Sequence, residues 1–418
     1  MDPTVELRRL PEPDLAAVGE DDELVDRIRA EIRADGPMPF ARFMELALYD
    51  PDGGYYRAAD ARPGRAGDYL TAPELHPIFG RVLASGLEEI WRRLGQPRPF
   101  VIREHGAGTG AMALAILGGI EDEAFLASVR YEPVEVDRRR LDAFGQGLAA
   151  AGYEDRIGAP GGEAVEGVVL AIEGLDALPV QRVRQRAGSL RELAVGLDPG
   201  GALVELEIEP TTPELAARLE AERVRLVDGQ TAEICLALDP WLAAATAPLG
   251  HGLLLAIDYG AAAADLYDPI RRRDGTLRAY LRQRVHDDPY VHVGRQDLTA
   301  HVDFTAVERA AQRAGLAMLG RTTQAEALMG LGIEDRLRAI QADPATTFDE
   351  YVLARAAIVR LLDPAAMGRF GVLAFGRGWP AGEPPLAMFR YRLPDRLRSG
   401  RSRDGGEDAR SGPDRGHC

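Results

Sequence analysis

Apolar positions recur along this chain in two rhythms, and the switches between them outline its elements. From Asp21 to Ala34, Leu24, Val25, Ile28 and Ile32 fall on one face of a helix. Gly36-Pro-Met-Pro39 ends it, and Phe40 to Tyr49 predicts a second, shorter helix with Phe43, Met44 and Leu48 inward. A third helix is expected from Ala72 to about Arg93. Apolar runs then predict strands at 100–104, 131–136, 167–172 and 252–258, with helices near 111–118, 138–151 and 177–194. Ala202 to Glu209 alternates as a half-exposed strand, and another strand is expected near Arg223 to Leu226. Phe304 to Ala314 reads as a helix, Leu316 to Arg321 and Gly371 to Phe375 as strands.

Strands alternating with helices imply an α/β fold, a doubly wound Rossmann-like sheet. The expected organisation is a flexible arm at 1–20, an N-terminal helical lid region at 21–97 and a core beginning at 98–199. An inserted hairpin or flap at 200–250 precedes the second part of the core at 251–390, which contains a loop excursion near 261–301. From 391 to 418 Arg, Ser, Gly and Asp dominate, so that tail is expected to be disordered.

The chemistry is concentrated in Phe100-Val-Ile-Arg-Glu-His-Gly-Ala-Gly-Thr-Gly110. A buried strand, a turn containing Gly106, Gly108 and Gly110, and a new helix from Ala111 place a ligand at the carboxyl edge of a parallel sheet. Glu135 follows 25 residues after Gly110, at the end of the next strand, where a carboxylate takes ribose hydroxyls. Charge separates the adenosine cofactors. A dinucleotide brings a pyrophosphate to the glycine turn, where Glu104 would repel it. Glu104 suits the ammonium and sulfonium of S-adenosyl-L-methionine (SAM), and G-x-G-x-G is not the dinucleotide spacing.

Composition narrows the field. At 418 residues the chain exceeds one core, and a net charge of −16 argues against a generic grip on nucleic acid. Every basic side chain is Arg; Lys and Asn are absent, which suggests a GC-rich bacterial genome. Without Lys there is no Schiff-base or P-loop chemistry. Two cysteines, Cys235 and Cys418, imply no disulfide framework, and no segment has the length to span a bilayer. A cytoplasmic setting is expected. No grouping has metal-ligand spacing, and no G-x-S-x-G elbow is present.

Several longer strings carry a resemblance. They are Tyr49-Asp-Pro-Asp-Gly-Gly-Tyr-Tyr56, Gly67-Asp-Tyr-Leu-Thr-Ala-Pro-Glu74, Glu104 to Gly110, Asp176-Ala-Leu-Pro-Val180, Ile257-Asp-Tyr-Gly260 and Asp297-Leu-Thr-Ala-His-Val-Asp-Phe304. Over about Gly36 to Gly376 the chain resembles the MidA-like family of class I SAM-dependent methyltransferases, which includes a mitochondrial enzyme that methylates an arginine of a complex I subunit. The resemblance implies a protein substrate with an arginine nitrogen as acceptor; a homodimer is a separate expectation. The chain departs from the family at His105, Ala107 and Thr109 in the glycine motif, and at Ile172, where an Asn is usual.

Candidate acceptor-side groups are Glu173 and Asp176 after the fourth strand of the resembled fold, and Asp68 from the lid. The plainer reading of Glu173 and Asp176 is a cap on a helix beginning near Ala177. Thr71 and Glu74 fit both a capping box and cofactor contact. Tyr259 either walls the methyl site or is an ordinary strand-end aromatic. His301, near Asp297 and Asp303, is either a base or a hydrogen-bonded loop histidine. Two rival functions remain at this stage. One is a SAM-binding assembly factor without turnover, suggested by Ile172; the other is a nicotinamide-dependent oxidoreductase.

Overall fold

The computed structural model describes residues 18–57 and 71–393. Asp68, most of the expected arm and all of the tail beyond 393 lie outside the described residues.

Helices α1 (Asp22–Asp35) and α2 (Phe40–Tyr49) lead to α3 (Ala72–Leu75) and α4 (Ile78–Arg93). The single helix expected from Ala72 is therefore two. Pro77 has no amide to continue the ladder, and its ring drives His76 to extended backbone. Next come β1 (Phe100–His105), α5 (Ala111–Leu117), β2 (Val129–Val134), α6 (Arg138–Ala150) and β3 (Val165–Ile172). The chain then leaves the sheet through β4 (Gln181–Arg186), β5 (Ser189–Leu197), β6 (Leu203–Ile208) and β7 (Thr231–Ile234). It returns as β8 (Leu249–Asp258), followed by α7 (Phe304–Arg313), β9 (Ala317–Thr323), α8 (Phe348–Leu362) and β10 (Gly371–Arg377).

The central sheet has the order β9-β10-β8-β3-β1-β2. Its four strands β8, β3, β1 and β2 are parallel, while β10 runs antiparallel to both neighbours. Successive side chains alternate between two covered faces. Val168, Leu170 and Ile172 join Leu253, Leu255 and Ile257 in the core under α4, α5 and α8. Val169, Ala171, Leu254 and Ala256 join Leu242, Val307 and Phe375 on the other face. This is the doubly wound arrangement expected.

The register aligns the chemistry. His105 pairs with Val134 on one side and Ala171 on the other, and Ile172 pairs with Ile257. Glu104, Glu135, Glu173 and Asp258 consequently emerge along one carboxyl edge.

Residues 177–194, expected as a helix, form β4 and most of β5 instead. Ala187 (φ 48°) and Gly188 (φ 87°) make the two-residue hairpin turn between them. Arg182 and Arg184 reach across to Glu205 on β6, at 2.6 and 2.9 Å, so the Arg-rich segment gains its partners only in a sheet. No strand forms near Arg223, whose positive φ of 58° follows a helix over Glu214–Ala221.

The lid region and the excursion share a second apolar core. Leu24, Ile28, Phe40, Phe43 and Met44 pack with Val195 of β5 and with Leu277, Val293 and Leu298. Met38–Pro39 adds an antiparallel edge to β5. The excursion at 261–301 is thus a structured part of this lobe, with short strands at Arg278–Leu281 and Asp297–Thr299.

Candidate active site

Two cavities meet at the carboxyl edge of the central sheet. The first, about 350 Å³, is lined by the glycine turn, Glu104, Glu135, Glu173, Thr71, Glu74, Arg140 and Trp241. The second, about 630 Å³, is lined by Asp176, Tyr259, Tyr280, Asp297, Thr299 and the α8 residues Leu353, Ala356 and Arg360. Glu173 and Tyr56 line both.

The turn is held open by its own backbone. Gly106, Gly108 and Gly110 all have positive φ, and the Gly106 amide donates to the Val134 carbonyl at 2.9 Å. A Cβ on Gly106 or Gly108 would meet no atom within 4 Å, since both face the cavity. Gly110 differs from the expectation. It is absent from the lining, and its Cβ would press on Phe144 at 2.9 Å, so it is needed for packing against α6.

Glu135 accepts the Gly108 amide at 2.8 Å through one oxygen and the Val136 and Asp137 amides through the other. The second oxygen is thereby saturated, and the first keeps a lone pair for a hydroxyl. Glu104 is buried beneath the turn and accepts from the Tyr131 hydroxyl at 2.7 Å. Burial pushes its pKa up to about 8 against the pull of Tyr131, and the Glu135 charge adds to the rise. His105 lies edge-on to Trp241, and burial lowers its pKa to about 4, so it is neutral.

Glu173 occupies the left-handed region at φ 49°, which non-glycine residues seldom adopt. Its carboxylate accepts the Ala72 amide at 2.6 Å. It does cap a helix, but that helix is α3 of the lid, 101 residues away; none begins at Ala177. The capping box is only half made. Thr71 donates its hydroxyl to Glu74 at 3.1 Å and accepts no helix amide. Burial raises Glu173 to about 8 against the Ala72 amide, with Asp176 and Glu74 adding repulsion. Asp176 is likewise raised by burial, against the pull of the nearby Tyr259 hydroxyl.

Other candidates divide by role. Asp258 is buried and accepts the amides of Gly174, Leu175 and Tyr259, so it shapes the loop that presents Glu173 and Asp176. Tyr259 lines the second cavity. His301 lines neither; it stands edge-on behind Tyr259 at 4.9 Å, and burial with three nearby arginines lowers its pKa to about 3. Asp303 caps α7 through the Thr305 and Ala306 amides.

Residue reasoning missed Tyr49, Tyr56, Arg140, Trp241 and Tyr280 as lining groups. Tyr49 and Tyr56 flank the Gly53-Gly54 turn, which carried a signal. Tyr49 and Tyr56 stack at 5.4 Å, Tyr49 donates to the Ala177 carbonyl, and Tyr56 donates to Asp297 at 2.8 Å. Tyr49 lines the first cavity and Tyr56 lines both. Among the described residues no cluster of His, Cys, Asp and Glu could hold a metal, and no helix is long and apolar enough to cross a membrane.

The first cavity fits SAM. Side-chain-free backbone opens onto it, Glu135 lines it with a carboxylate able to accept from a hydroxyl, and buried polar atoms of His105 and Arg140 lack protein partners. Its volume is that of a small-molecule site.

Comparisons agree. A family profile of S-adenosyl-L-methionine-dependent methyltransferases matches residues 82–322. A Burkholderia thailandensis protein crystallised with S-adenosyl-homocysteine superposes with a TM-score of 0.80 at 33% identity, covering 93% of this chain and 100% of that one. The Drosophila melanogaster mitochondrial protein arginine methyltransferase NDUFAF7 homolog is 29% identical over 388 residues, 85% of each chain. The Homo sapiens protein arginine methyltransferase NDUFAF7 is 26% identical over 339 residues, 74% of this chain and 73% of that one.

Proposed function

The chain belongs to a family of S-adenosyl-L-methionine-dependent methyltransferases, and we propose that it methylates an arginine nitrogen of a protein, bound in the second cavity. One observation carries this reading: Glu173 lines both cavities, so a group held by its carboxylate lies at the boundary with the cofactor. The arginine acceptor is supported by the relatives' printed activity and by the acids of the second cavity, Glu173, Asp176 and Asp297, set among Tyr56, Tyr259 and Tyr280.

The cofactor supplies an activated methyl group; the protein supplies position and charge. An entering guanidinium meets Glu173 and Asp176, both raised by burial, and its charge favours their ionised forms. Carboxylates on the outer nitrogens orient the acceptor lone pair, and the acceptor nitrogen then gives up one proton to the acidic cluster. Tyr56 and Tyr49 exclude water from the boundary.

Incubation with methyl-labelled SAM and lysate proteins tests the reading. Label is expected in monomethyl- or dimethylarginine after hydrolysis. Label in lysine or in small molecules alone would exclude the arginine acceptor, and tight cofactor binding with no product would favour the assembly-factor alternative.

Glu104 carries a separate expectation. In the empty site it holds a proton at pH 7, because its pKa is raised to about 8. Binding an ammonium group requires the carboxylate, so binding releases that proton. Affinity for S-adenosylhomocysteine should climb by up to about tenfold per pH unit below 8 and level off above it. Calorimetry in buffers of different ionisation enthalpy should give close to one proton released at pH 7. Glu104→Gln should give none; equal release by both proteins would rule out this source.

A further inference from the structure

The first cavity contains a cation that the methyl-transfer reading leaves without a task. Arg140 stands in the first turn of α6, five residues beyond Glu135, and lines the cavity. Its guanidinium carbon lies 5.9 Å from the centroid of the Tyr56 ring. Its Nη2 is buried and has no hydrogen-bond partner. The other ionisable lining groups are the carboxylates Glu74, Glu104, Glu135 and Glu173, the two tyrosines, and His105, which is neutral.

Contact with an aromatic face does not explain such a group. A guanidinium has five N–H donors, and a buried donor left unpaired costs stability unless a ligand completes it. The cofactor has one anionic group, the carboxylate of its amino-acid end, beside two cationic centres and neutral hydroxyls. The carboxylates of the lining suit the cationic centres and hydroxyls. Among the charged side chains of the lining only Arg140 suits the anion, and a guanidinium is the side chain best shaped to hold a carboxylate through two parallel hydrogen bonds.

We propose that Arg140 is the residue that binds the cofactor's carboxylate, and so makes the site selective for adenosyl amino acids over adenosyl amines. This rests on the first cavity being the cofactor site. Tyr56 covers the guanidinium from the lid side, so a bound carboxylate also steadies a side chain shared with the acceptor cavity.

The experiment is a titration cycle on the full chain by calorimetry. Wild type, Arg140→Met and Arg140→Lys are each titrated with S-adenosylhomocysteine and with its decarboxylated analogue, S-adenosyl-3-thiopropylamine, which keeps the amine and loses the carboxylate. Melting temperatures confirm that the variants fold. Wild type should prefer S-adenosylhomocysteine by about 10- to 100-fold, the usual worth of a charge-assisted pair. Arg140→Met should bind the two equally, and Arg140→Lys should keep part of the preference. A Met variant that weakens both ligands alike, or neither, overturns the assignment. Wild type that binds neither ligand overturns the cofactor site itself, a result distinct from loss of discrimination.

Discussion

Glu173→Gln should lower methyl transfer by about 100-fold or more while leaving S-adenosylhomocysteine affinity within a few-fold of wild type. Glutamine keeps the shape and an oxygen able to accept the Ala72 amide, so the tie to α3 survives. What it loses is the negative charge at the boundary of the two cavities. Without that charge the proposed arginine acceptor is poorly oriented, and only Asp176 and Asp297 of the cluster remain to receive its proton. A single-turnover assay with saturating cofactor separates this effect from binding. A variant that retains full turnover would remove Glu173 from the chemistry and leave it as the clasp of the lid. The Ile172→Asn variant tests the departure beside it: restored polarity next to Glu173 should not abolish turnover, because Ile172 lines the cavity without making any bond that Asn must replace.

Gly106→Val should abolish detectable cofactor binding. Gly106 has φ 72°, where a β-branched residue is strained, and its side chain would project into the first cavity rather than into protein. The strain acts on the turn that carries the ligand, and the side chain on the ligand's space. Calorimetry with S-adenosylhomocysteine should show no heat, with the melting temperature changing by only a few degrees. Gly110→Ala is the control, because its Cβ would collide with Phe144 and lower the melting temperature first. Unchanged affinity in the Gly106 variant would contradict the placement of the amino-acid end over the turn.

The parts of the fold that were legible share one property: their determinants lie within a few residues. The α1 stripe of Leu24, Val25, Ile28 and Ile32 is buried as its period requires. The strand, glycine turn and helix from Phe100 to Leu117 follow from an apolar run and three residues at positive φ. The parallel sheet follows from repeating that unit. Where the reading failed, the deciding partner was remote. Gln181 to Leu197 has helix-forming Arg, Leu, Glu and Ala, yet Arg182 and Arg184 are satisfied by Glu205 on a later strand. Pro77 was local and should have divided the helix begun at Ala72.

The site was half legible for the same reason. Glu104 and Glu135 were marked by their distance from the glycines, because the strand ends set where their side chains emerge. Glu173 was marked as a candidate, but its bond to Ala72 across 101 residues was not, and neither was its place between two cavities. Arg140 offered no signal in an arginine run, since only the fold separates it from Arg138 and Arg139.

By itself, then, the order of residues determined the backbone shape of a cofactor turn, the acids beside it and the class of sheet carrying them. Tertiary packing decided which distant segments close over that turn, which carboxylate stands at the boundary, and which arginine faces inward. The physical reason is range. Dihedral preferences and periodic burial act over one or two turns of chain, whereas a cavity is made by side chains that meet only after the two apolar cores have formed.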